Sequence, residues 1–174
     1  MTGVLTRRKL LFGNSRLSNH EDVVRPPWSV DYDLFEKKCS GCAQCIPACP
    51  NHILTLDTRH LAKVDFQQGE CIFCEECARV CDDGAIVITD INLPWHLDVS
   101  IEGKCLAMQS VECRVCEDQC EERAIRFHLT QGGVSTPQLN LDLCTGCGAC
   151  VGPCPVAAIT VRPETVKRTR ELSA

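Results

Sequence analysis

Sixteen cysteines in a chain of 174 residues follow one repeated spacing, and that spacing governs how the backbone can fold. Cys39, Cys42, Cys45 and Cys49 read C-x2-C-x2-C-x3-C. Cys71, Cys74, Cys77 and Cys81 repeat the pattern, and Cys144, Cys147, Cys150 and Cys154 repeat it again. Cys113, Cys116 and Cys120 keep its last three positions; Ser110 stands where the first thiol belongs, and Cys105 lies five residues upstream of it. Three thiols within seven residues face one object only if the backbone between them curls around it. Gly41, Ala43, Gly146, Gly148 and Ala149 are small enough to permit that approach. The fourth thiol of each group opens the next element and points away, toward a second object.

This is the spacing of the bacterial iron–sulfur run, in which the fourth cysteine ligates the other cluster of a pair. The exchange rule predicts four ligand sets. The first is Cys39, Cys42, Cys45 and Cys81, and the second is Cys71, Cys74, Cys77 and Cys49. The third is Cys105, Cys113, Cys116 and Cys154, and the fourth is Cys144, Cys147, Cys150 and Cys120. Each set suits a 4Fe–4S cluster. Cys105 is the weakest member, because the pattern alone does not bring it to the third site. Pro50 and Pro155 complete the C-P form in groups one and four, whereas Asp82 and Glu121 stand there in groups two and three. Zinc held by four thiolates is the alternative, although zinc sites usually join two separated C-x2-C pairs. Structural disulfides fit poorly, since neighbouring C-x2-C thiols pair awkwardly.

The repeat also sets the organisation. Short β-prone runs follow the groups, at Ile53–Leu56, Ala85–Thr89, Ala124–Leu129 and Ala157–Val161. Others precede the second and fourth groups, at Ala62–Phe66 and Gln138–Leu141. Each unit therefore reads as a ligand loop, a helical turn through the last cysteines, and a strand. The expected fold class is α+β, with two tandem bacterial two-cluster ferredoxin-like modules over residues 34–90 and 103–163. Residues 91–102 read as a linker or packing strap in which Trp95 covers the junction. Residues 1–33 form a basic arm and docking segment, with Trp28 seated on the first module, and 164–174 a polar tail.

Composition excludes several functions. At about 9% cysteine, with five Phe, two Trp and one Tyr, a packed apolar core is thin and metal must help hold the chain. The formal net charge of −5 argues against nucleic acid. No run approaches the roughly 20 apolar residues of a transmembrane helix. No phosphate-binding glycine motif and no nucleophile–base arrangement is legible, so the chain reads as a one-electron carrier or accessory factor rather than an enzyme. The histidines at 20, 52, 60, 96 and 128 are dispersed; His52, three residues after Cys49, is the one placed to tune a cluster, and a surface position is the simpler reading. Thr6-Arg7-Arg8-Lys9-Leu10-Leu11 looks like a twin-arginine export motif, but Gly13, Asn14, Ser15 and Arg16 break the apolar stretch that should follow. A cytoplasmic location is therefore expected.

The connecting stretches carry a resemblance that the cysteines alone do not. They are Arg7-Arg8, Arg25-Pro26-Pro27-Trp28-Ser29, the run from Cys105-Leu106-Ala107-Met108-Gln109-Ser110 to Cys116, Pro137-Gln138-Leu139-Asn140, and Gly146-Cys147-Gly148-Ala149-Cys150. With these the chain resembles the ferredoxin-type proteins of periplasmic nitrate reductase systems, within the polyferredoxins, over nearly its whole length. The resemblance implies a cytoplasmic protein with four 4Fe–4S clusters. Its implied partner is the precursor of the molybdenum-containing catalytic subunit, NapA, before twin-arginine export, and its implied role is maturation or cluster assembly of that subunit. An electron-transfer component between quinol or reductase systems and nitrate reduction is the alternative, with other redox proteins as partners.

Overall fold

The computed structural model describes residues 23–89, 93–129, 133 and 135–164. The Arg7-Arg8 motif, His20 and the tail from 165 lie outside the described residues. Helix α1 (Tyr32–Lys38) is the longest helix among them. Asp33 in its first turn and Lys37 and Lys38 in its last complement the helix dipole. It buries Phe35 completely and ends where Cys39 turns extended. Three single helical turns follow the ligand loops: α2 (Cys45–Ala48), α3 (Glu76–Arg79) and α4 (Val115–Asp118). Such turns are too short to be stable alone, so what surrounds their thiols must hold them. The fourth group has turns in place of a helix, in keeping with Gly148, Gly152 and Pro153.

The strands form three antiparallel pairs. β1 (Leu54–Leu56) pairs β2 (Ala62–Val64) with Leu54 opposite Val64. β4 (Ile125–Leu129) pairs β5 (Ser135–Leu139) with Ile125 opposite Leu139. β3 (Leu97–Ile101) pairs β6 (Ile159–Pro163), Val99 facing Val161. β3 lies in the stretch read above as a linker. Leu97, Val99 and Ile101 alternate with Asp98 and Ser100, the period of a half-buried strand, and Val99 is buried. The run at 85–89 is not a full strand: Ile86 makes a single bridge to Ser29, flanked by hydrogen bonds from Val30 N–H to Ala85 O and from Val87 N–H to Trp28 O.

The segment before α1 is part of the core. Trp28 is buried with its ring edge-on to Phe73. Arg25 is only 8% exposed. Its guanidinium donates to Ala62 O, pairs with Asp57 at 2.8 Å, and lies over the rings of Tyr32 and Phe35. Its Nε and Nη2 are buried without a partner, so the Asp57 charge is what makes the burial tolerable.

Candidate metal centres

A backbone repeat underlies the cysteine repeat. In the three complete groups, the second and fourth residues after the first cysteine have left-handed backbone. They are Gly41 and Ala43 (φ 73° and 62°), Phe73 and Glu75 (54° and 66°), and Gly146 and Gly148 (75° and 84°). For Ala43, Phe73 and Glu75 this costs roughly 1–2 kcal/mol each. Alternating right- and left-handed residues form concavities of backbone N–H groups that favour an anion, which a thiolate-ligated cluster is. The third group departs from the pattern. Arg114 has φ −133° and Ser110 itself is left-handed at 62°.

A second repeat follows each fourth cysteine. His52, Gly84, Arg123 and Ala157 each stand three residues after it with positive φ, and each N–H returns to the carbonyl of that cysteine. The next residue is then driven inward: Ile53, Ala85, Ala124 and Ala158 are 2%, 1%, 1% and 1% exposed. His52 thus occupies a turn position shared with glycine, arginine and alanine, and its side chain is exposed. In groups three and four the buried alanine N–H donates back to the thiol, Ala124 to Cys120 Sγ and Ala158 to Cys154 Sγ, both at 3.2 Å. Phe73 N–H donates to Cys71 Sγ at 3.4 Å.

These turns gather thiols around enclosed spaces. Cys39, Cys42, Cys45 and Cys81 border one cavity of about 370 Å³, open rim included. Cys49, Cys71, Cys74 and Cys77 border another of about 350 Å³. Cys105, Cys113, Cys116 and Cys154 border a third of about 340 Å³. Cys144 and Cys147 lie close enough to Cys150 to act on its thiol, and Cys120 follows the C-cap of α4, Gln119. Cys105, expected at the third site, reaches it by a fold-back of the chain that follows it. A 3-10 turn over Ala107–Gln109 buries Ala107, Val111 N–H bonds Leu106 O, and Ser110 is left exposed.

The thiols of Cys45, Cys71, Cys77, Cys116 and Cys150 are pushed up, mainly by loss of solvent. Burial, then the neighbouring Cys39 and Cys42, pushes Cys45 up to about 11. Burial, then Cys71 and Cys45, pushes Cys77 up to about 12. Burial, then Cys105, pushes Cys116 up to about 11, and burial, then Cys147 and Cys144, pushes Cys150 up to about 12. Several thiolates cannot share such a pocket without compensating positive charge, which iron supplies as the protons leave. Among the described residues, no three His, Cys, Asp or Glu side chains converge as one metal ion requires. The sulfurs of the first three sets each border a space, which suits a cluster. The donor set and the left-handed concavities therefore fit 4Fe–4S ligation, and the chemistry such a group supplies when bound is one-electron transfer.

Thiol-lined cavities on a small α+β frame define a ferredoxin-type iron–sulfur protein. A model of the 4Fe-4S dicluster domain matches residues 38–85 and 110–171. The chain is 44% identical over 155 residues to the ferredoxin-type protein NapF of Escherichia coli, covering 89% of this chain and 93% of that protein. It is 41% identical over 165 residues to NapF of Haemophilus influenzae, covering 90% and 93%. NapG of Escherichia coli is 32% identical over 171 residues, covering 83% of this chain and 72% of that protein. The chain belongs to the NapF family of ferredoxin-type proteins. Among the described residues no helix is long and apolar enough to cross a membrane.

Proposed function

We propose that this chain carries four 4Fe–4S clusters and serves in the cytoplasm as an accessory factor that matures the periplasmic nitrate reductase catalytic subunit before export. The ligand sets are those of the exchange rule: Cys39, Cys42, Cys45, Cys81; Cys49, Cys71, Cys74, Cys77; Cys105, Cys113, Cys116, Cys154; and Cys120, Cys144, Cys147, Cys150. Residues 34–90 and 103–163 are the two modules. The observation that carries the reading is the kinship with NapF over 89% of the chain, which takes in the connecting stretches as well as the cysteines. Three of those stretches have structural work: Arg25 to Ser29 closes the first half, Cys105 to Ser110 delivers a thiol, and Gly146 to Gly148 packs against Trp95 and Phe66. The NapA precursor is the partner this reading assigns.

The test is capture of the tagged chain from anaerobic cytoplasm, with iron and acid-labile sulfide assayed on the same eluate. Co-elution of catalytic subunit still bearing its signal peptide, with about 16 iron per chain, is the expected result. The same iron with only membrane quinol-oxidising components would replace the maturation role by electron transfer. A colourless, oxygen-stable protein containing zinc and still binding the precursor would overturn the cluster assignment.

A further inference from the structure

One contact between the two halves joins the loop of the second cysteine group to that of the fourth. Cys71 N–H donates to Cys147 O at 2.8 Å, the one backbone hydrogen bond among the described residues that links cysteines of different halves. On either side the fit is close. Gly148 lies against the ring of Phe66 so tightly that a Cβ there would fall inside it. Gly152 faces Phe66 O, where a Cβ would stand at 3.2 Å. Trp95 Nε1 donates to Thr145 O at 3.0 Å, and a Cβ on Gly146 would stand 2.9 Å from that nitrogen. Phe66 and Phe73 both meet Trp95 edge-on, at 5.7 and 5.9 Å between ring centres, and Phe73 belongs to the second cysteine loop.

We infer that Phe66 and Trp95, keyed into Gly148 and Gly146, are positioning residues that hold the Cys49/Cys71/Cys74/Cys77 and Cys120/Cys144/Cys147/Cys150 sites as immediate neighbours. The four sites then stand in the spatial order first, second, fourth, third, not in chain order. Within each half the exchanged fourth cysteine makes the two sites adjacent, and in the first half α2 packs against α3. Across the junction the Cys71 N–H to Cys147 O bond joins the two loops. The ends of the series are the first site, where Cys42 is exposed, and the third, beside exposed Met108 and Val111. Such an order is the geometric condition for electron exchange between the halves. The inference rests on the ligand sets proposed above.

The experiment is electron paramagnetic resonance of the anaerobic holoprotein reduced with dithionite, with iron and labile sulfide measured on each sample. In a Cys42→Ala background, which removes the other neighbour of the second site, the second-site signal retains splitting from the fourth. Adding Cys144→Ala abolishes that splitting; adding Cys113→Ala leaves it. Gly148→Ala in the otherwise intact chain removes no ligand, so by displacing Phe66 it is expected to keep full iron and to narrow the second-site splitting to what the first site alone contributes. It decides the matter if a cysteine variant loses more than its own cluster. Splitting that survives Cys144→Ala, that is lost with Cys113→Ala, or that is unchanged in Gly148→Ala at full iron overturns the inference while leaving the clusters in place. A wild-type preparation without iron or labile sulfide overturns the ligand sets themselves, and the inference with them.

Discussion

In the first half of the chain, Trp28 and Val30 meet Val87 and Ala85 through two backbone hydrogen bonds, and the segment is held down by the buried side chains of Arg25 and Trp28. In the second half the corresponding place is taken by β3 beside β6, five residue pairs long, extended by Glu102 N–H to Ala158 O at 2.7 Å. The inner hairpins, β1–β2 and β4–β5, occupy equivalent places after the first and third cysteine groups. One half is therefore closed by side-chain anchors and the other by a backbone ladder. The cysteine sites differ in the same sense: the first half has two complete loops, whereas the second has one complete loop and the Cys105 fold-back.

The largest effect should come from that fold-back. Cys105→Ala is expected to lose about four of roughly 16 iron, read as iron and labile sulfide on anaerobic protein. Ser110→Cys in the same chain should not restore them. Ser110 is exposed and Arg114 lacks the left-handed backbone found at that place in the other loops, so a thiol at 110 does not face the cavity. Full iron in the double variant would mean that the third loop can curl like the others and that the comparison is one of sequence only.

Next come the anchors of the first half. Trp28→Ala should cost about 3–5 kcal/mol by opening a cavity beside Phe73. Asp57→Ala should cost a similar amount, about 3–5 kcal/mol, because it leaves the Arg25 guanidinium buried and unpaired. Acid should act at the same place. Burial raises the Asp57 carboxyl, but N–H groups of Leu61 and Arg59 and the Arg25 guanidinium outweigh it and hold Asp57 below its ordinary 3.8. A depressed carboxyl stabilises the fold fully above its unfolded value, and that contribution is lost as pH falls through the lower folded value. Hydrogen exchange at Val30 and Val87 should therefore accelerate in acid before exchange at Val99 and Val161 does. The reverse order would break the contrast between anchor and ladder. On the ladder itself, Val99→Ala should cost about 1–2 kcal/mol, the worth of its methyl groups, since the backbone pairing stays.

Much of the site was legible because cysteine spacing is a local signal. The grouping of Cys39, Cys42 and Cys45, or of Cys144, Cys147 and Cys150, follows from thiols a turn apart on a curling loop. Trp28 was legible too, as a large apolar side chain beside a stiff Pro-Pro pair. What stayed hidden was set by tertiary contact. β3 is five residues long beside Pro94 and Trp95, so its alternation was outweighed by linker composition. The run at 85–89 is β-prone but has only Ser29 to bridge, so it does not extend. Arg25 looked like part of a basic arm, because nothing local announces that Asp57, Tyr32 and Phe35 will enclose it. The left-handed positions at Phe73 and Glu75 carry residues that normally avoid that conformation, so only comparison with Gly146 and Gly148 across the repeat exposes them.

The smallest effect tests whether the ladder needs side chains at all. Thr160 on β6 donates its hydroxyl to Glu102 Oε1 at 2.6 Å, just beyond the end of β3, and Lys104 lies 3.1 Å from the other oxygen. The Thr160 hydroxyl first, then Lys104, holds the Glu102 carboxyl below its ordinary 4.5. Thr160→Val removes the hydroxyl at nearly constant shape. The Glu102 titration, followed by carboxyl-carbon NMR, should move back up toward 4.5, while cluster content and exchange at Val99 stay as in the parent. If the ladder loosens as well, the second half depends on a side-chain clasp after all, and the distinction from the Arg25–Asp57 anchor becomes one of degree. If only the titration moves, five pairs of backbone register suffice to close the second half. Side-chain anchorage is then confined to the first half, where the register is a single bridge.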